Sequence, residues 1–205
     1  TCVRRITDGA TLSSDTFASG PDCAGKSRLR VEIPAFVQMA GPLLLTGEPF
    51  QSVTLAPTSG IQRATLRIGA GRLPATTSGC VLSATDVLVA ASNLPRMEFD
   101  RIDIQRMAGT GVGDIIGIQI HGGTLALAGS TIGLAAEGAE PVSRGVNLCL
   151  ADLYALVGRI EAQTVGIQGL SSRLLLAGTA ADRVAVARAR FGLLLTGTAQ
   201  ARLDK

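Results

Sequence analysis

Aromatic residues are nearly absent from this sequence. Its 205 residues include no Trp and one Tyr, Tyr154, and aromatic residues together make up 3%. A globular sandwich domain usually fills part of its core with large rings, so the composition argues against that architecture. Grooves that hold sugars usually present Trp or Tyr platforms, and Tyr154 is the one candidate here. The scarcity of rings therefore argues against a processive polysaccharide-degrading enzyme.

Long apolar runs are also absent, although the chain is apolar as a whole. Hydrophobic residues make up 46% of it, and its mean hydropathy is +0.35. A membrane-spanning helix needs about 20 consecutive apolar residues. The longest candidate, 117–134, is interrupted by His121, Gly122 and Gly123. We therefore predict no membrane-spanning segment, and we expect the apolar residues to be buried in many short strands.

Lysine is scarce, and the positive charge is not clustered. Lys26 and Lys205 are the two lysines among 19 basic residues, and the net charge is +3. The arginines are scattered along the chain. Nucleic-acid-binding proteins usually carry a clustered basic face with stacking aromatic residues. Neither feature is visible, so we predict no nucleic-acid partner.

Histidine and cysteine do not form a metal-binding pattern. His121 is the single His, and the four cysteines are 21, 57 and 69 residues apart. Zinc sites need shorter and more regular spacings between their ligands. We therefore predict no metal and no other cofactor.

The four cysteines instead favour an oxidising compartment. The chain begins at Thr1 rather than Met, which is typical of a processed secretory signal or an excised segment, and we expect a secreted or cell-surface protein. Cys2 and Cys23 are the most plausible disulfide because they close a short loop, a bridge worth about 3 kcal/mol. Cys80 and Cys149 either form a second disulfide or serve as small buried apolar residues.

The most regular feature of the sequence is a ladder of short apolar runs bounded by glycine. Four of these runs start 28, 21 and 26 residues apart, at Gly117, Gly145, Gly166 and Gly192. Further apolar runs lie inside the intervals, at 124–129, 153–158 and 173–178. Strand-sized pieces that recur every ~20 to 30 residues are the signature of a β-solenoid. We therefore predict an all-β solenoid fold.

The chain divides into a cap and a solenoid within a single domain. Residues 1–28 are polar and irregular, and we interpret them as an N-terminal cap pinned by a disulfide; residues 29–205 form the β-helix. Leu29–Ile33 alternates apolar and polar residues, as a half-buried strand does. Asp100–Arg101 separates two strands of opposite phase and predicts a corner. The segment 150–160 has mild helical spacing, but the repeat register favours a strand there.

Residues 29–205 resemble the right-handed parallel β-helix of the pectin-lyase-like superfamily. The resemblance rests on strand triplets at variable spacing and is architectural, without a shared motif. Three other solenoid classes are excluded because their repeats are missing. These repeats are the hexapeptide period of left-handed β-helices, the Thr-x-Thr array of ice-binding solenoids and the Gly-Gly-x-Gly-x-Asp calcium repeat.

The resemblance also implies where a catalytic site would lie. Superfamily enzymes that cleave acidic polysaccharides use clustered Asp with Arg or Lys on one sheet, often with calcium. The best cluster here is Asp100, Asp103 and Arg106, with His121 downstream. Two carboxyl groups about 5 to 10 Å apart could act as acid and base, Arg106 could neutralise a uronate, and His121 could transfer protons. The alternative is exposed ion pairs, each worth less than about 1 kcal/mol, with His121 in a turn.

The expected function is structural or adhesive, through rigid display and subunit assembly at the cell surface or outside the cell. Residues 196–205 follow a strong strand without a capping element. We therefore expect either that the chain continues in a longer protein or that this end meets another subunit, and self-association through the C-terminal end is the hypothesis that follows from the second alternative. A glycan or a surface molecule is a further candidate partner. One alternative is a polysaccharide lyase or glycoside hydrolase acting on an acidic glycan. Another is a phage or virus fibre segment, which predicts an obligate trimer.

Overall fold

The computed structural model describes residues 1–7, 12, 14–18, 20–46, 49–73, 85–178 and 183–204. In these ranges the chain is an all-β parallel solenoid of about six turns, which confirms the predicted fold class. Its strands, in chain order, are β1 (Cys2–Arg5), β2 (Arg28–Ile33), β3 (Phe36–Met39), β4 (Leu43–Thr46), β5 (Ser52–Pro57), β6 (Ala64–Ile68), β7 (Gly71–Arg72), β8 (Asp86–Ser92), β9 (Arg96–Asp100), β10 (Ile102–Met107), β11 (Ile115–His121), β12 (Thr124–Ile132), β13 (Ala139–Glu140), β14 (Arg144–Cys149), β15 (Asp152–Glu161), β16 (Val165–Leu170), β17 (Arg173–Ala177), β18 (Val184–Ala187), β19 (Phe191–Thr196) and β20 (Gln200–Asp204). Two short 3₁₀ turns, Ser14–Phe17 and Pro21–Cys23, lie between β1 and β2.

The strands stack in parallel on three faces. Face one consists of β1, β2, β5, β9, the first halves of β12 and β15, β17 and β20. Face two consists of β3, β6, β10, the second halves of β12 and β15, and β18. Face three consists of β4, β8, β11, β14, β16 and β19. Faces one and two belong to one sheet because β12 and β15 run through the corner between them. Among the described strands, the two-residue β7 and β13 pair antiparallel, with β8 and β10 respectively.

Alternation along each strand creates the core. In β2 the side chains of Leu29, Val31 and Ile33 are buried, whereas Arg30 and Glu32 between them face outward. The same alternation in successive turns stacks the apolar residues into one continuous cluster along the solenoid axis. Stacked Leu, Ile and Val side chains fill this narrow core, so an apolar chain with few rings can bury its hydrophobic surface.

The four regularly spaced glycines of the sequence stack on one another in face three. Gly117 lies in β11, Gly145 in β14, Gly166 in β16 and Gly192 in β19, and the residues that flank each glycine are register partners of those that flank the next. A Cβ atom at Gly145 would lie 2.2 Å from Cγ2 of Ile160 and 2.6 Å from the carbonyl oxygen of Gly166. The missing side chains therefore let face three approach face two closely along this edge.

Residues with positive φ form the corner between faces one and two. Arg101, Gly129 and Val157 occupy corresponding positions in three successive turns, with φ of 55°, 61° and 49°. The corner predicted at Asp100–Arg101 is thus confirmed. The strand interpretation of the segment 150–160 is confirmed as well, because β15 runs through it. Val157 is unusual at such a position, since β-branched residues disfavour positive φ.

The predicted N-terminal cap lies against the first full turn. β1 pairs in parallel with β2, and a disulfide joins Cys2 to Cys23, which confirms the predicted bridge. Leu12 and Phe17 are 1% and 6% exposed, and both belong to the same apolar cluster as the solenoid core. This segment therefore covers the N-terminal end of the core.

The second predicted cysteine pair is only partly described. Cys149, at the end of β14, is buried and disulfide-bonded, which favours the bridged alternative for this residue. Cys80, the partner considered in the sequence analysis, lies outside the described residues.

Candidate functional site

The two predicted catalytic carboxylates lie on different faces of the solenoid. Asp100 ends β9 on face one and Asp103 lies in β10 on face two, with the corner residue Arg101 between them. Asp100 is paired with Arg101, whose Nε donates to Oδ1 at 3.1 Å. This hydrogen bond, together with the negative charge of Asp100, raises the pKa of Arg101. Asp100 is therefore already engaged by its neighbour in the sequence.

Asp103 is buried and accepts a hydrogen bond from Nη1 of Arg63. The same guanidinium donates to Oγ1 of Thr131 at 3.2 Å and to the carbonyl oxygen of Gly129 at 2.6 Å. Arg63 thus ties together neighbouring turns of face two. Sequence reasoning missed Arg63 because it lies 40 residues before Asp103, and only the register between β6 and β10 brings the two side chains together.

Arg106 joins two loops rather than facing the carboxylates. Its guanidinium donates to the carbonyl oxygen of Thr110 at 2.6 Å and to that of Pro141 at 3.2 Å, and it forms an ion pair with Glu140 at 2.9 Å. His121 ends β11 on face three, where its carbonyl oxygen accepts from the backbone N–H of Asn93 at 2.9 Å.

The four predicted catalytic residues are not brought together by contacts. In the part of the chain that the structure describes, no hydrogen bond or ion pair joins any two of them. Each of the two carboxylates has its own arginine partner instead. The catalytic grouping of Asp100, Asp103, Arg106 and His121 therefore stays a prediction.

Arginine–carboxylate pairs are a general feature of the outer surface. On face one, Arg5 donates to Glu32 at 2.9 Å and Arg30 donates to the same carboxylate at 3.2 Å. The hydrogen bond from Arg5 and, with a smaller effect, the hydrogen bond from Arg30 lower the pKa of Glu32. Arg96 pairs with Glu98, two positions further along β9. Exposed pairs of this kind each contribute less than about 1 kcal/mol to stability. The arginines that are scattered in the sequence thus serve as local partners of acidic residues.

Potential metal ligands come together at one place among the described residues. Cys2, Asp22 and Cys23 lie close enough to share an ion. The two cysteines are consumed by their disulfide, and Asp22 is paired with Arg4 at 3.2 Å, a contact that lowers the pKa of Asp22. This group therefore does not have the donors of a metal site while the disulfide is intact.

Exposed apolar side chains are concentrated towards the C-terminus. Of the eleven large hydrophobic side chains exposed in the described residues, seven lie beyond β14. These seven are Leu150, Tyr154, Leu156, Phe191, Leu193, Leu194 and Leu203. Most single exposed apolar residues need no explanation, but a contiguous apolar patch marks a contact surface.

Two columns of inward-facing residues show that the core is left open at this end. On face one, Leu127 and Ala155 are 3% and 2% exposed, whereas Leu203 at the same inward position of the last turn is 69% exposed. On face three, Ile167 is fully buried and its register partner Leu193 is 40% exposed. The exposed leucines are core residues that lack a following turn in the described chain.

The last strand of each face also has an unpaired edge in the ranges that the structure covers. β18 pairs with β15, β19 with β16 and β20 with β17, each on one side. An unpaired edge presents a row of N–H and C=O groups to any strand that approaches it. The C-terminal end, defined here as β18, β19 and β20, thus combines open backbone with exposed core residues and is the candidate functional surface.

Comparison with known proteins found no matching family model, no matching curated protein and no matching solved structure. The class of the protein is therefore defined by its own architecture, a parallel β-solenoid. Within the described ranges, none of the helices has the length and apolar character needed to cross a membrane.

Proposed function

We propose that this protein is a structural β-solenoid that assembles through its C-terminal end. The observation that carries the proposal is the exposure of Leu193 and Leu203, which continue core columns that are buried in the preceding turns. Burial of a leucine side chain contributes about 1.5 to 3 kcal/mol, so a partner that covers this end gains that stabilisation. The stacked faces behind the contact would then act as a rigid scaffold or adhesive surface.

The partner that best fits the C-terminal end is a second copy of this chain. Two C-terminal ends that meet across a two-fold axis bring each edge strand against a strand running in the opposite direction, which permits antiparallel pairing. The exposed leucines of both copies meet in the same contact. At the N-terminal end, Leu12 and Phe17 are buried, so that end offers no matching exposed core to a head-to-tail neighbour.

A secreted or cell-surface location is part of the same proposal. It is supported by the disulfide between Cys2 and Cys23, since structural disulfides persist mainly in oxidising compartments. In such a location the outer faces of the solenoid remain free to contact a glycan or a surface molecule.

Light scattering after size-exclusion chromatography, over a range of protein concentrations, tests the assembly. We expect a mass of two copies of the 21.0-kDa chain. The double substitution Leu193→Asp with Leu203→Asp should give the mass of one copy, because it would bury carboxylates in the contact. Val3→Asp is the matched control: Val3 is 50% exposed in β1 at the opposite end, and its substitution should leave the mass unchanged.

Other masses give different conclusions. A single copy at every concentration contradicts the proposal, and so does a dimer that only Val3→Asp disrupts. A stable mass of three copies would favour the fibre-segment alternative in place of the two-fold contact.

A further inference from the structure

A shallow cavity of about 480 Å³ lies on the outer surface of face one, where β2, β5 and β9 are neighbours. The side chains that line it include Arg28, Arg30, Ser52, Thr54, Arg96 and Glu98. Small-molecule sites have volumes of roughly 300 to 1,000 Å³. The cavity therefore has the size of a small-ligand site, and it lies at the opposite end of face one from the C-terminal end.

Short hydroxyl side chains form the floor of this cavity. Ser52 and Thr54 alternate with buried residues of β5 and therefore face outward. Ser52 is the register partner of Arg28 on one side and of Arg96 on the other. Because neighbouring strands are about 4.8 Å apart, the Cα atoms of the two arginines are roughly 10 Å apart, with the serine hydroxyl between them.

One side of the cavity carries excess positive charge. The side chain of Arg28 has no hydrogen-bond or ion-pair partner among the described residues. Further along the same strand and outside the cavity, Glu32 is shared between Arg5 at 2.9 Å and Arg30 at 3.2 Å. Of the arginines that line the cavity, Arg30 therefore has Glu32 as a partner and Arg96 has Glu98. The guanidinium of Arg28 is the positive charge left without a neutralising partner among the described residues.

We propose that this cavity binds a sugar or similar polyol that carries an oxyanion. The guanidinium of Arg28 offers five N–H donors to the oxyanion, which strengthens its hydrogen bonds by charge. Ser52 and Thr54 both donate to and accept from the ligand hydroxyl groups. Glu98, which is held in place by Arg96 at 3.1 Å, accepts a hydrogen bond from a further hydroxyl. Carboxylate, sulfate and phosphate groups share this chemistry.

Isothermal titration at low salt tests the site and distinguishes the three oxyanions. The probes are glucuronate, glucose 6-sulfate and glucose 6-phosphate, with neutral glucose for comparison. We expect at least one anionic probe to bind and glucose not to bind. Arg28→Ala should weaken binding about tenfold or more, since a hydrogen bond to a charged group is worth about 1.5 to 3 kcal/mol. Ser52→Phe should abolish binding, because the ring fills the floor while every arginine remains.

The matched control is Arg190→Ala, which removes an exposed arginine that likewise has no described partner and should not alter binding. Far-UV circular dichroism checks that each variant keeps its strands. The proposal fails if no anionic probe binds, if glucose binds equally well, or if Arg28→Ala or Ser52→Phe leaves the affinity unchanged. None of these outcomes bears on assembly, which is read from molecular mass.

Discussion

The two ends of the solenoid are built on the same repeat but are completed differently. At the N-terminal end, a segment outside the regular repeat buries Leu12 and Phe17 against the core and is held by the disulfide of Cys2 and Cys23. At the C-terminal end, Leu193 and Leu203 occupy inward positions and are 40% and 69% exposed. A repeat protein stabilises each turn through its neighbours on both sides. The repeat alone therefore cannot complete its own ends.

The largest expected difference between the ends concerns their inward-facing leucines. Leu12→Ala should lower the free energy of unfolding by about 4 kcal/mol, because it leaves a cavity at a buried site. Leu203→Ala should lower it by less than about 0.5 kcal/mol in dilute solution, since most of that side chain is already in water. Urea unfolding of both variants measures the difference. Equal losses at the two positions would contradict the contrast between a covered and an open end.

Removal of the disulfide should make the two ends more alike, because it should uncover the core at the N-terminal end. Cys2→Ser with Cys23→Ser should lower the free energy of unfolding by about 3 kcal/mol, because the unfolded chain regains the freedom of the closed loop. Loosening of the segment should also expose core residues at the N-terminal end and permit association beyond two copies. Urea unfolding and light scattering measure the two effects. Unchanged stability would show that packing of Leu12 and Phe17 alone holds the segment.

The glycine stack gives a smaller and sharper comparison between the interior and the open end. Gly145→Ala should lower the free energy of unfolding by about 2 kcal/mol, because its Cβ would lie 2.6 Å from the carbonyl oxygen of Gly166 and overpacking is costly. Gly192→Ala is the matched control: a Cβ there meets nothing within 4 Å. In dilute solution, where the proposed dimer dissociates, it should be neutral or stabilise by up to about 1 kcal/mol. A large loss at Gly192 would mean that another chain or segment packs on that turn.

Features that depend on local sequence were predictable. Leu29–Ile33 alternates because its two faces meet core and solvent, and the glycine spacing follows the length of one turn. The change of phase at Asp100–Arg101 marked a corner, since a strand cannot change its buried face without one. The Cys2–Cys23 disulfide could be predicted from the sequence because it closes a short loop.

Features that depend on register between turns were not predictable. Arg63 reaches Asp103 across 40 residues, a separation that no local sequence pattern encodes. Val157 was missed as a corner residue because a β-branched side chain is typical of strands, whereas its φ of 49° places it in the left-handed region. The four predicted catalytic residues are close in sequence, yet the corner and the turn length distribute them over three faces.

The sequence by itself indicated the class of fold, because alternation, glycine spacing and the absence of long apolar runs favour stacked short strands as the arrangement that buries the apolar residues. Tertiary structure alone decided which charged residues meet and which individual side chains at the two ends are buried or exposed. Side-chain contacts across turns depend on register, and register is set by the stacking of whole coils rather than by any local pattern. The contrast between a covered and an uncapped end was therefore predicted from the sequence, whereas the side chains exposed at the uncapped end were not.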